Sequence, residues 1–194
     1  MSRRSRKNRG TTDKTTKTRR NLPQQEKFSL RWPIIRFGLG FGALMTVFYV
    51  ISSLPWWNEA LYLYLKANAN VSHVFLNMAG QQTQVDDLVI RSGDFAIAVK
   101  RGCDAIEPTW FFIAAVVAFP LPWRRKAWGI VLGVSFLLTL NLVRIVSLYL
   151  LGKYQPSFFQ TAHLEIWPAV FVVAAVILWA IWLRWAKRDE VSPR

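Results

Sequence analysis

Three residues in this sequence carry side chains that together could do covalent chemistry. Cys103 is the only cysteine, Arg144 interrupts a long apolar run, and His163 precedes another. A free thiol has a pKa of about 8.5 and is only a few per cent thiolate at neutral pH; a helix N-terminus and a nearby cation raise that fraction. Cys103 stands just before an apolar stretch, so the backbone amides opening that helix are expected to point towards it, and Arg144 could supply a fixed positive charge. His163 would carry the proton, taking it from the thiol or giving it to a leaving amine, while Arg144 shares the charge of a developing oxyanion. Asp104 and Glu107 oppose this, because neighbouring carboxylates disfavour a thiolate unless they are turned away as helix caps. Asn141 and Ser147 lie one helical turn either side of Arg144, so the three form a polar stripe on one face that is expected to point inward.

The elements that must position these groups are membrane helices. A bilayer crossing needs roughly 20 apolar residues of helix, with about 17 as a lower limit. Four stretches qualify or nearly do: 37–54, 105–119, 127–151 and 166–183, the second being short and bracketed by Pro108 and Pro120. An arginine at the centre of such a helix costs about 2.5–3.5 kcal/mol on insertion scales, so Arg144 is expected to face protein or water. With the third stretch running outward, Arg144 sits roughly 10 Å from its outer end at 1.5 Å per residue. Cys103 opens the second stretch and His163 the fourth, both from the outer side. Topology thus brings thiol, guanidinium and imidazole to one depth.

Composition agrees with a membrane protein carrying a segregated basic tail. The 194 residues are 53% apolar, including 10 Trp and 13 Phe, yet the net charge is +14. Through Arg36 the chain is rich in Lys and Arg, with only Asp13 and Glu26 acidic. Lys and Arg accumulate on the cytoplasmic side. The tail, the Arg124–Lys126 loop and the Arg184, Lys187, Arg188 end all fall on one side of a four-span arrangement, which makes both termini cytoplasmic and leaves the cysteine facing outward. The tail reads as a topology signal with affinity for anionic lipid rather than as a nucleic-acid binder, since it has no interleaved aromatics. One cysteine excludes an intrachain disulfide, and two histidines without ligand spacing make a metal site an unfavoured reading. No cofactor is expected. The first apolar run begins late and lacks a small-residue cleavage site, so no signal peptide is expected to be removed.

Between the first and second stretches lies the one sizeable outer segment. Residues 58–78 carry apolar side chains near helical spacing and read as an interfacial helix. Residues 88–90 and 95–99 flank Arg91-Ser92-Gly93-Asp94 and read as a β-hairpin delivering the chain to Cys103. The expected fold is an all-α membrane protein of about four transmembrane helices with that interfacial helix and small hairpin. Its organisation is a disordered basic tail over 1–33, an integral membrane domain over 34–188 and a short tail over 189–194.

Taken together, Cys103 in Arg-Gly-Cys-Asp-Ala-Ile, Arg144 in Asn141-Leu-Val-Arg-Ile and His163 in Ala-His-Leu-Glu resemble the exosortase and archaeosortase family of membrane transpeptidases. Leu76-Asn77-Met78-Ala79-Gly80 and the following hairpin look like that family's approach to its cysteine, and the compact form looks most like the short subgroup called exosortase H. The resemblance implies an enzyme of the bacterial cytoplasmic membrane that cuts secreted proteins near a C-terminal anchor made of a short motif, a transmembrane helix and a basic cluster. Cys103, Arg144 and His163 would be its catalytic residues and a thioester its intermediate. The family frequently has glycine two residues after the cysteine, where this chain has Ala105. Other classes compete. A scaffold protein could pair Arg144 with Glu107 or a lipid, and a small transporter could line its path with Asn141, Arg144 and Ser147, although paired broken helices are missing. A serine intramembrane protease lacks its Gly-x-Ser-x-Gly elbow, and a thiol oxidoreductase would need a second cysteine.

Overall fold

The computed structural model describes residues 22–93 and 95–188, with side chains described from Trp32 onward. The basic segment through residue 21 and the last residues, 189–194, lie outside the described residues, and with them most of the two expected tails. Helix α1 spans Leu22–Ser52 and α2 spans Pro55–Met78; then come strands β1 Gln84–Asp86, β2 Val89–Ser92 and β3 Phe95–Ala98. Helix α3 is Ile106–Ala118, α4 is Trp123–Tyr154 and α5 is Pro156–Thr161, followed by a π-helical turn, Ala162–Ile166, that runs into α6, Trp167–Arg188.

Three helical stretches are long and apolar enough to cross a bilayer: Trp32–Ser52 in α1, all of α4, and the continuous Pro156–Arg188 helix built from α5, the π turn and α6. The fourth expected crossing, α3, falls short of that length. It has 13 residues, a rise of about 20 Å against a hydrocarbon core of about 30 Å. Prolines set this length. Phe119, with φ −75° and ψ 135°, already adopts the extended conformation imposed on a residue preceding proline, here Pro120. The short helix packs among α1, α4 and α6.

At the end of the bundle where α4 begins, the basic loop caps its neighbours. Lys126 Nζ donates to Val117 O at 2.7 Å in the last turn of α3, Arg125 donates to Ala186 O near the end of α6, and Trp182 Nε1 donates to Arg125 O at 3.0 Å. Cations at carbonyl-bearing helix ends satisfy orphan acceptors and oppose the negative end of the dipole.

Helix α2 is the helix expected at 58–78, begun by Pro55. Its buried face is Leu61, Leu65, Asn68, Ala69, Ser72 and Leu76, spaced at three, four and seven. That face packs with Ile90, Val99, Ile145 and Tyr149, so α2 is tied to the sheet and to α4. Val71, Val74, Phe75 and Met78 are exposed. The helix ends in a Schellman arrangement: Gln81 N donates to Leu76 O at 3.0 Å and Gly80 N to Asn77 O at 2.9 Å, with Gly80 at φ +77°. Asn77 Oδ1 then accepts from Thr83 N at 2.6 Å, and His73 Nδ1 lies 2.8 Å from Thr83 Oγ1, fastening the sheet to the helix.

The expected hairpin is formed by β2 and β3, and β1 pairs with the other edge of β2 to give a three-stranded antiparallel sheet in the order β1-β2-β3 within a mostly helical fold. Arg91 and Ser92, expected in the turn, belong to β2, and the chain reverses at Gly93 with φ +59°. Strand β1 escaped the sequence reading because Gln84-Val85-Asp86 has one apolar residue and no alternation to show.

Within the bundle, aromatic rings fill the places left by two glycines of α4. A Cβ at Gly129 would stand 2.2 Å from the Trp182 ring and one at Gly133 2.2 Å from the Phe112 ring, whereas one at Gly38 or Gly42 would meet nothing within 4 Å. Gly129 and Gly133 therefore admit the two rings against α4, whereas Gly38 and Gly42 make no such close approach among the described residues. Gly133→Val is expected to cost about 1–3 kcal/mol, the usual penalty for overpacking, seen as a lower thermal midpoint in detergent. Gly38→Ala should leave the midpoint unchanged; an unaffected Gly133→Val would show that this packing is not as described.

Candidate active site

The loop joining β3 to α3 is built to turn sharply twice. Cys103 N donates to Lys100 O at 2.9 Å, closing a β-turn whose third residue, Gly102, has φ +92° as a type II turn demands. Ala105 then adopts the left-handed conformation, φ 55° and ψ 15°, before α3 begins. Between these kinks the Asp104 carboxylate, only 6% exposed, accepts from Gly102 N at 3.1 Å and from Ile106 N at 3.0 Å. Tyr64 of α2 donates its hydroxyl to Asp104 O at 2.8 Å and anchors the loop from the other side.

This loop presents Cys103, half-buried, with its Sγ 3.9 Å from His163 Nδ1. That is a long sulfur contact, as catalytic hydrogen bonds often are before substrate tightens them. His163 reaches this place from the π turn. Trp167 N donates to Ala162 O, five residues back, and Pro168 follows with no N–H to give. Proline removes the ordinary i→i−4 bond and crowds the preceding turn, and a π turn is one way a helix accommodates it. The imidazole stacks on Phe159, the centroids 5.7 Å apart and the planes within 14°. Sequence spacing gave His163 but not the π turn; Pro168 was the available signal.

Arg144 is 5% exposed on α4, its guanidinium 5.7 Å above the Phe171 ring, and its Nε has no hydrogen-bond partner. Among the described residues the one ion pair is Lys66–Asp87 at 3.7 Å, so of the two partners a scaffold reading offers Arg144 (Glu107 or a lipid), the Glu107 pair is not formed. Asn141 is fully buried and donates through Nδ2 to Asn68 Oδ1 at 3.3 Å, while its own Oδ1 has no partner. Ser147 is half-buried and donates to the Arg144 carbonyl at 2.9 Å, so its hydroxyl is spent on its own helix. The expected stripe is thus buried at Asn141 and Arg144 and turned inward on the backbone at Ser147. Tyr64, Asn68 and the clamping role of Asp104 were missed, since nothing in their spacing distinguishes them.

Two cavities flank the loop. One, of about 530 Å³, is lined by β3, by Cys103 and His163, and by Ile145, Leu148 and Phe159. The other, of about 620 Å³, lies on the Arg144 side and is mostly apolar, with Phe48, Phe111, Phe171, Val172 and Val176 in its wall. Electrostatics of the thiol follow from this placement. Burial pushes its pKa up; the positive charge of Arg144 and a backbone hydrogen bond with Lys100 pull it down, and Asp104 pushes it up. The net effect is upward, so the resting sulfur is protonated. The expected help from the amides opening α3 is reduced, because the Ile106 amide is taken by Asp104. No group of three or more His, Cys, Asp or Glu side chains that could hold a metal occurs among the described residues.

In comparison with known proteins, a family model described as transmembrane exosortase matches residues 35–180, which include the loop, the Arg144 helix and the π turn. No curated protein and no solved structure matches the chain.

Because burial raises the thiol pKa, alkylation of Cys103 by iodoacetamide in membranes should climb with pH and reach half its maximum above the ordinary thiol value. Arg144→Gln removes a group that lowers the pKa, so the half-rise should move higher still. A half-rise at or below the ordinary value would contradict the described burial. The strain at Ala105 gives a second expectation. A left-handed L-residue costs about 1–2 kcal/mol, while the methyl that glycine would lose is buried and worth about 0.8 kcal/mol. Ala105→Gly should therefore move stability by less than about 1 kcal/mol, and Ala105→Val, β-branched at positive φ, should lower it by about 2 kcal/mol or more. Thermal unfolding in detergent measures both; equal effects would refute the left-handed geometry.

Proposed function

The chain belongs to the transmembrane exosortase family, and from that membership we propose that it is a membrane-embedded cysteine peptidase or transpeptidase acting on secreted proteins held by a C-terminal transmembrane anchor. The observation that carries this reading is the Cys103 Sγ to His163 Nδ1 approach of 3.9 Å at the wall of a cavity. A thiol whose pKa is raised by burial needs a base, and the imidazole is placed to be one.

In the proposed reaction His163 Nδ1 takes the Sγ proton as the sulfur attacks the carbonyl carbon of the scissile peptide. The π electrons of the carbonyl move to oxygen, and Arg144, with no carboxylate partner, offsets the negative charge formed nearby. Collapse of that oxyanion breaks the C–N bond, and the imidazolium returns its proton to the leaving amine. A thioester on Cys103 remains, to be resolved by water or by an acceptor amine. Asp104 stays out of this chemistry, since its carboxylate is tied to two backbone amides, and it holds the loop in place.

Geometry supports a substrate that arrives from the lipid. Lys126 and Arg125 cap one end of the bundle while the thiol and imidazole lie towards the other, as an enzyme with a cytoplasmic basic end and an outward-facing site would be arranged. On this reading α3, although short, carries the chain back between the two ends of the bundle, so that both termini are cytoplasmic; the membrane is the bacterial inner membrane, and the apolar groove beside Arg144 receives the anchor helix.

The test is processing of a co-expressed reporter: a secreted domain followed by a short segment, a transmembrane helix and a basic cluster taken from a protein of the host genome. Cys103→Ala should abolish cleavage, His163→Ala should slow it by about 10²–10⁴-fold, and Arg144→Ala should slow it by about 10²–10³-fold. In wild-type membranes mass spectrometry should find a covalent reporter fragment on Cys103. Normal cleavage by Cys103→Ala would end the proposal.

A further inference from the structure

Strand β3 is the last of the sheet, and its far side carries no strand among the described residues. Its pairing with β2 fixes which backbone groups are free. The register sets Ile90 against Ile97 and Ser92 against Phe95, and Val99 N donates to Leu88 O at 2.8 Å. Antiparallel partners alternate between bonded and non-bonded pairs. Phe95, Ile97 and Val99 therefore bond towards β2, and the N–H and C=O groups of Ala96 and Ala98 point to the open side. Natural proteins blunt such an edge with lysine, proline, a bulge or a covering element. Here the outward-bonding residues are alanines, both exposed.

What lies along this edge is the cavity of about 530 Å³ that also holds Cys103 and His163. The strand runs through Val99 into the Lys100–Cys103 turn, so a chain paired beside Ala96 and Ala98 is led towards the sulfur. Phe95, Ile145, Leu148 and Phe159 offer apolar surface to side chains on one side of such a strand. Lys100 and Arg101 also line the cavity, and no carboxylate does among the described residues, which complements a segment bearing negative rather than positive charge.

We infer that the open edge of β3 is the rail on which substrate polypeptide docks: the segment on the amino side of the scissile bond lies extended and pairs backbone to backbone with Ala96 and Ala98. This is strand addition, in which main-chain hydrogen bonds supply affinity and alternate side chains supply selectivity. The inference rests on the peptidase reading above and specifies how that substrate is held.

A proline scan of the same anchored reporter tests it. Proline at a position whose N–H bonds to β3 removes a donor, and proline at the intervening positions, whose N–H faces away, is tolerated as on any edge strand. Cleavage should fall at least tenfold at every second position upstream of the cut and change little between. On the enzyme, Ala98→Pro should cut processing at least tenfold while Cys103 is alkylated at the wild-type rate, showing an intact site. A scan without alternation, while Cys103→Ala still abolishes cleavage, would overturn the rail and leave the peptidase reading standing. Normal cleavage by Cys103→Ala would remove that reading and the rail with it. A substrate-independent disulfide dimer of Ala98→Cys, made in the Cys103→Ala background, would assign the edge to a second copy of this chain and overturn the proposal.

Discussion

The geometry of the candidate site depends on how one carboxylate is tied down. Asp104 is buried beside a cysteine, where an unpaired negative charge would both cost folding energy and suppress a thiolate. Its two oxygens accept backbone amides from Gly102 and Ile106, on either side of it in the chain. Those bonds close the loop around its own carboxylate, start α3, and hold the sulfur between two left-handed residues. Tyr64 locks the same residue's carbonyl to α2, so the outer helix, the sheet and the short helix α3 share one rigid corner. The acid that looked like an obstacle to the chemistry is what positions it.

The thiol in that corner is subject to opposed forces, and burial wins in the resting state. A preformed thiolate in an apolar, half-closed site would need more compensation than one guanidinium provides. A neutral thiol next to an imidazole needs little, and the charge appears only as the bond to carbon forms. The arrangement therefore suits a nucleophile activated by proton transfer at the moment of attack. It also limits adventitious oxidation, since susceptibility follows thiolate character and exposure.

Much of this was legible in the sequence because helices that alternate direction across a bilayer convert residue number into depth. Cys103 before one apolar stretch and His163 before another had to meet at one level, and they do, within 3.9 Å. What depth arithmetic cannot see is lateral or rotational. Which apolar residues of α2 pack on protein could not be read from spacing, because lipid-facing and protein-facing apolar residues look alike. Asn68 as the partner of Asn141 was invisible for the same reason. Strand β1 had no pattern of its own and exists because β2 offers it an edge, and the π turn depends on a proline beyond the residue it reorients. The length of α3 was readable as short, but continuous apolar composition outvoted the prolines that end it.

Two of the buried polar atoms without a partner belong to the polar stripe of α4. Arg144 Nε and Asn141 Oδ1 are both enclosed and unsatisfied, and each such atom costs about 1–3 kcal/mol, more for a charged group. The Asn68–Asn141 bond shows that α2 and α4 can satisfy polar groups between them, so the orphan atoms are not a failure of local geometry. They lie one turn apart on α4, Asn141 turned to Asn68 of α2 and Arg144 lining the groove beside Phe171. An unpaired guanidinium there is a standing demand for negative charge that no described residue meets, and an oxyanion formed during acyl transfer from an anchored peptide would meet it for as long as the bond is being broken.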